Sequence, residues 1–173
     1  MSKIVKQIKY TSEDLQLSYN IHYIKNFPFR SRMVMYLGVF IVVVGILLFA
    51  LTFNSSTSSI TLSLFYVFFG VATLIYYFWS KLTLGKRMFK KITELKYPFD
   101  IEFSTEGAII KGKNISSELK WEHYEKAIIT KEIILLYPNS MRFNFFPKKY
   151  FTDQEYEQIS SWVIEFVPNI KKK

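Results

Sequence analysis

Residues 33–80 read MVMYLGVFIVVVGILLFALTFNSSTSSITLSLFYVFFGVATLIYYFWS and carry no charged side chain, in a chain that is 21% charged overall. The polar patch Thr52-Phe53-Asn54-Ser55-Ser56-Thr57-Ser58-Ser59 divides this stretch into two apolar runs, 33–53 and 60–79. At 1.5 Å rise per residue each covers about 30 Å, the thickness of a hydrocarbon core. The first run holds fourteen Leu, Ile, Val or Phe. On an insertion scale these are worth about −4 to −8 kcal/mol together, and one central Lys or Asp would cost about 3 kcal/mol of that. The second run is weaker, with eleven such residues and more Tyr and Thr, but no charge opposes it. Two buried helices of a large soluble core are the alternative, and the 125 other residues are too few to cover them. The first run starts some 30 residues in and lacks a small-residue cleavage site, so it reads as a retained anchor. The expectation is a transmembrane helical hairpin with an outer loop at 54–59.

Charge position decides what the net +9 means. Residues 1–32 carry six Lys or Arg against two acids, and residues 81–97 carry six against Glu94. Residues 98–173 carry eleven against eleven. The surplus borders the apolar stretch, which argues for topology and an anionic lipid leaflet and against nucleic acid. Lys25, Arg30 and Arg32 precede the first run, Lys81, Lys86 and Arg87 follow the second, and the loop between has none. The positive-inside rule then puts both termini in the cytoplasm. Tyr36, Tyr76, Tyr77 and Trp79 at the inner ends fit an interfacial aromatic belt. Gly38 and Gly45 lie seven apart on one helical face, open to close packing near Gly70 or to a second copy of the chain. Neither run holds an ionisable group, which speaks against a transport path or proton relay.

Residues 81–97 read as a basic juxtamembrane continuation of the second helix, with Lys86, Arg87, Lys90 and Lys91 as candidate lipid contacts. Residues 98–173 change period. Phe99, Ile101 and Phe103 alternate with Asp100, Glu102 and Ser104, Thr105-Glu106-Gly107 turns, and 108–111 leads back. Leu119 and Trp121 alternate with charged residues, two apolar runs follow at 127–130 and 133–137, and Met141, Phe143 and Phe145 alternate after a Pro138-Asn139-Ser140 turn. That makes six short antiparallel strands. Thr152 and Glu155 form a capping box, and Tyr156, Ile159, Val163, Phe166 and Val167 make one apolar helix face ended by Pro168. Lys171–Lys173 read as a frayed tail. Residues 1–32 hold a strand pattern at 4–10 and a helix start at Thr11-Ser12-Glu13-Asp14. That strand either joins the C-terminal sheet as a seventh member or stands apart from it.

Several residues carry a family pattern: Phe103 and Gly107, then Ser117 and Trp121, then Leu136-Tyr137. The clearest is Phe146-Pro147-Lys148-Lys149-Tyr150-Phe151 running into Thr152-Asp153-Gln154-Glu155. The chain from about residue 30 onward resembles the YcxB-like family of bacterial two-span membrane proteins. The resemblance implies a membrane hairpin plus a small α+β domain: an antiparallel sheet of pleckstrin-homology-like shape, capped by a C-terminal helix. It also implies a bacterial plasma-membrane location, no established enzymatic activity, and a neighbourhood in which such proteins are candidate immunity factors against toxins.

Catalytic constellations are missing from the sequence. The chain has no cysteine, and His22 and His123 lie in different segments with no carboxylate at ligand spacing. Glycine-rich phosphate loops, hydrolase elbows and zinc signatures do not occur. No catalytic residue, cofactor or metal is expected, and the chain reads as a non-enzyme. Lys148 and Lys149 before a helix start, and Lys111 and Lys113 on a hairpin turn, are further candidate contacts for lipid phosphate or an acidic partner. The functional expectation is a membrane-anchored binding module whose partner is a protein or the anionic inner leaflet. The alternative is an immunity protein that meets a toxin, with the glycine face of the hairpin doing the binding.

Overall fold

The computed structural model describes residues 3–54, 57–113, 115–140 and 142–172. Ser55 and Ser56 of the expected loop, Met141 of the last expected strand and Lys173 of the tail lie outside them. The chain divides into two compact units, one of Asn20–Leu84 and one of Met1–Tyr19 with Gly85–Lys173.

Two helices dominate the first unit: α2 (Arg30–Thr52) and the start of α3 (Thr57–Lys91). Both are long and apolar enough to cross a membrane, and only 11% of each apolar window is buried. A core helix of a soluble protein would show the reverse. At 35 residues α3 is about 52 Å long, some 20 Å more than a hydrocarbon core needs, so the basic segment continues it as one helix. Close packing of α2 on α3 follows from glycine. A Cβ on Gly45 would meet the Val67 backbone nitrogen at 2.7 Å, and one on Gly70 would meet that of Val42 at 2.8 Å. Near the loop that joins the two helices, buried Ser63 places its hydroxyl 3.2 Å from that of Thr52.

The second unit is α+β. Strand β1 (Ile4–Ile8) leads into α1 (Ser12–Asn26), whose Thr11 and Asp14 cap each other reciprocally. Strands β2 (Phe99–Phe103), β3 (Gly107–Gly112) and β4 (Ile115–Lys120) form an antiparallel meander, and β1 pairs with β2 with Ile8 opposite Phe99. The strand before the hairpin is therefore an edge of the sheet after it. The hairpin is an insertion between two hydrogen-bonded neighbours. Gly107, at φ +157°, makes the β2–β3 turn, and a side chain there would overlap the Leu119 carbonyl.

A second sheet has the order β7 (Asn144–Pro147), β6 (Ile133–Tyr137), β5 (Lys126–Ile129), β8 (Ile170–Lys172). Every residue of β6 is buried, so this strand is covered on both faces. Phe103 joins the sheets, edge-on to Phe146 at 5.0 Å and stacked with Trp121 at 6.3 Å. Helix α4 (Asp153–Phe166) starts with the expected Thr152/Glu155 capping box, worth about 0.5–2 kcal/mol, and the Tyr156 hydroxyl ties it to the Thr130 carbonyl.

Four sequence expectations need correction. Trp121 is not a strand residue: it opens a single 3-10 turn after β4, where its indole donates to the Ser104 carbonyl at 3.0 Å. The last strand begins at Asn144, and Phe143 precedes it, edge-on to Tyr19. On α4 the buried face holds Trp162, while Phe166 is 41% exposed. At Lys171 and Lys172 the tail is not frayed. Ile170–Lys172 pairs in parallel with β5, since Asn169 anchors the turn by accepting from the Ala127 amide and donating to the Glu125 carbonyl.

Candidate membrane-contact and docking site

The last turns of α3 hold a dense run of positive charge. Lys86, Arg87, Lys90 and Lys91 fall at i, i+1, i+4 and i+5, so helical geometry puts them on one stripe, and all four are exposed. Like charges four apart cost a few tenths of a kcal/mol, offset by the partial negative charge of the helix C-terminus. The Lys96 ammonium donates to the Lys90 carbonyl at 3.2 Å, satisfying one acceptor that the helix end leaves open. The opposite side is packed: Met88 and Phe89 are half-buried and Gly85 is buried. Chemically the stripe is a row of cations held in register, suited to a surface of phosphates.

Lys111 and Lys113 are placed differently. Lys111 is exposed on β3, its backbone opposite Asp100 on one side and Ser116 on the other. Lys113 follows β3 and sits over the ring of exposed Tyr97, 5.7 Å from its centroid.

Lys148 and Lys149 occupy a 3-10 turn between β7 and α4, and both are engaged within the chain. Lys149 pairs at 2.6 Å with Asp14, whose side chain is 4% exposed. The other oxygen of Asp14 accepts from the Thr11 amide at 2.9 Å, and the Tyr150 hydroxyl stands 2.7 Å from it and from the Lys9 carbonyl. Burial pushes the Asp14 pKa up, but the hydrogen bonds from Lys149, Tyr150 and Thr11 outweigh it and hold the carboxyl below its ordinary value. Burial, then the hydrogen bond and charge of Asp14, pushes the Tyr150 phenol up. Lys148 pairs with exposed Asp153 at 2.6 Å, which lowers the Asp153 pKa. An open hollow of about 420 Å³ beside the cluster is lined by Lys131, Lys148, Lys149, Asp14 and Glu132. Three cations against two carboxylates give it little selectivity for either sign.

Asp14 has a role that its local sequence does not show. Thr11-Ser12-Glu13-Asp14 signals a helix start, and the Asp14 carboxylate does accept from the Thr11 amide at the head of α1. Its second role, holding Lys149 and Tyr150 more than 130 positions away, leaves no local trace. Gln16 was also unsignalled: its side chain accepts from the Gly85 amide at 2.6 Å.

The glycines Gly38, Gly45 and Gly70 all turn toward the contact between α2 and α3, where a Cβ on Gly38 would meet Leu74 at 2.8 Å. Of the histidines, His22 is buried on α1 with Nδ1 3.2 Å from the Asn26 amide nitrogen, and His123 is exposed in the Trp121 turn. Among the described residues no group of three or more His, Asp or Glu could hold a metal ion.

Residues 103–163 match the family model described as YcxB-like protein. The matched segment runs from the end of β2 to Val163 of α4, and contains the Trp121 turn and the Phe146–Glu155 passage into the helix. It is 61 of the chain's 173 residues, so the hairpin and β1 stand outside it. No curated protein and no solved structure matches the chain significantly.

Proposed function

On the premise that residues 103–163 are YcxB-like, we propose that the chain is a non-enzymatic, membrane-anchored binding module. Its soluble domain would be pleckstrin-homology-like: a four-stranded and a three-stranded antiparallel meander followed by a helix. Its hairpin would cross the plasma membrane with both termini in the cytoplasm, as the basic flanks favour. The observation that carries this reading is the pairing of β1 with β2 across the inserted hairpin. A domain whose own sheet is interrupted by its anchor is joined to that anchor by two chain segments rather than one. The α3 stripe would then meet anionic headgroups at roughly 1 kcal/mol per cation. Recognition of a partner would fall to the exposed part of the domain, such as the β4 edge with Ser116 and Glu118.

The test uses the full chain in its host membrane, with a photoreactive residue placed at Ser116 or Glu118, or on the hairpin at Leu51 or Phe68. Discrete protein adducts from the β4 positions alone support the reading. Adducts confined to the hairpin positions would replace it by the immunity reading, in which a toxin is met inside the bilayer. Reporter fusions at Ser58 and Lys173 check the topology, and a cytoplasmic signal at Ser58 would overturn it.

A further inference from the structure

The unit formed by Asn20–Leu84 contains a crevice of about 280 Å³ at the end of the hairpin where charge returns to the sequence. Three helices build it, each with one face. From α1 come Asn20 and Ile24, from the first turns of α2 Ser31 and Val34, and from α3 the stripe Tyr77, Ser80, Lys81 and Leu84. The spacings i, i+3 or i+4 put each set on a single side of its helix. The walls are mostly apolar, and the polar groups among them are a cation, two serine hydroxyls, an amide and the phenol groups of Tyr23, Tyr76 and Tyr77. None of the lining residues is acidic. Lys81 is the first charge after the uncharged 33–80 stretch, and its ammonium stands over the Tyr77 ring at 5.9 Å.

We infer that this crevice is a binding site for one anionic phospholipid of the leaflet on the charged side of the hairpin. One acyl chain would lie against Ile24, Val34 and Leu84, and the headgroup phosphate would meet Lys81 with the serine hydroxyls beside it. Three features select that occupant. An apolar cleft with a polar, cationic rim suits an amphiphile. Its volume lies near the lower end of ligand clefts, about 300 Å³, and so suits one chain. Its place on α3, between the lipid-length run and the basic continuation, coincides with the depth at which phosphates lie. The site differs from the α3 stripe, which offers exposed cations without an apolar wall. The inference rests on the hairpin lying in a bilayer, and the first step of its test separates the two.

The full chain is reconstituted into nanodiscs holding equal phosphatidylglycerol and phosphatidylcholine, then released in mild detergent for native mass spectrometry. Failure to insert would remove the membrane reading itself. Once inserted, the wild-type chain is expected to retain one phosphatidylglycerol. Lys81→Gln should lower that retained fraction by about five- to tenfold. Val34→Trp, which fills the crevice and leaves the cation, should lower retention of both lipids. Lys90→Gln, on the exposed stripe, should change it less than about twofold. Equal retention of the two lipids by the wild-type chain would overturn the site. So would a Lys81→Gln effect no larger than that of Lys90→Gln in chains of unchanged helical content.

Discussion

The amide of Gly85 on α3 donates to Oε1 of Gln16 on α1 at 2.6 Å, and a Cβ at position 85 would overlap the Gln16 backbone itself. The two helices therefore touch at main-chain distance, which is possible only because one of the residues has no side chain. Gly85→Leu forces them apart and removes the hydrogen bond. Overpacking of this kind costs about 1–3 kcal/mol. Hydrogen exchange of the full chain should show faster amide exchange along residues 12–19, and unchanged exchange there would refute the contact.

Asp14 ties α1 to the Lys149 turn, and its carboxyl is held below the ordinary 3.8. A group whose folded pKa lies below its unfolded value stabilises the fold above the unfolded value, and that stabilisation is lost as pH falls through the folded one. Asp14→Asn should therefore weaken the fold at pH 7 by about 1–3 kcal/mol. The gap to wild type should close as pH drops from about 4 toward 2. Chemical denaturation at both pH values measures it, and a gap that persists at low pH would contradict the assignment.

Inside the hairpin, the Thr52 and Ser63 hydroxyls stand 3.2 Å apart in a chain without cysteine. Thr52→Cys with Ser63→Cys should form an intramolecular disulfide under mild oxidation. Adding Gly70→Leu, whose Cβ would press on the Val42 backbone at 2.8 Å, should cut the yield several-fold. An unchanged yield, read by gel mobility, would mean the helices meet some other way.

Strand β8 covers the edge of β5 with three residues. Removing residues 170–173 leaves that edge without its strand partner, except for the Ala127 amide on Asn169. Exchange in Lys126–Ile129 should rise by about tenfold or more, while β2 and β3 stay protected. Equal protection before and after truncation would show that the tail does not pair.

The capping box of α4 is open to a simpler measurement. Thr152→Ala removes the acceptor for the Glu155 amide, and Thr152→Ser keeps it. The first should cost about 0.5–2 kcal/mol and the second almost nothing. Thermal unfolding of the two variants side by side distinguishes them.

Legibility followed range. The hairpin was visible because transfer free energy adds up over contiguous residues, and α4 because its cap lies three residues into its own sequence. Strand β8 was hidden, since Ile170-Lys171-Lys172 is too short and too charged to declare a strand by itself. The paired state of Lys148 and Lys149 was hidden too, because their type fits solvent or ligand equally well. Phe166 and Trp162 exchanged roles because helical periodicity names a face, and the surface that it meets decides which rim of the face is covered.

From its sequence alone this protein is committed to two apolar helices bordered by positive charge, followed by a small α+β domain of YcxB-like pattern. Those properties are sums and periods over neighbouring residues. Tertiary structure decided that β1 belongs to the sheet beyond the hairpin, that Gln16 meets Gly85, and that Asp14 holds the Lys149 turn. Each of these joins groups that are 69 or more positions apart. A hydrogen bond or ion pair over that separation is set by where the whole chain closes, and no window of the sequence contains both of its ends.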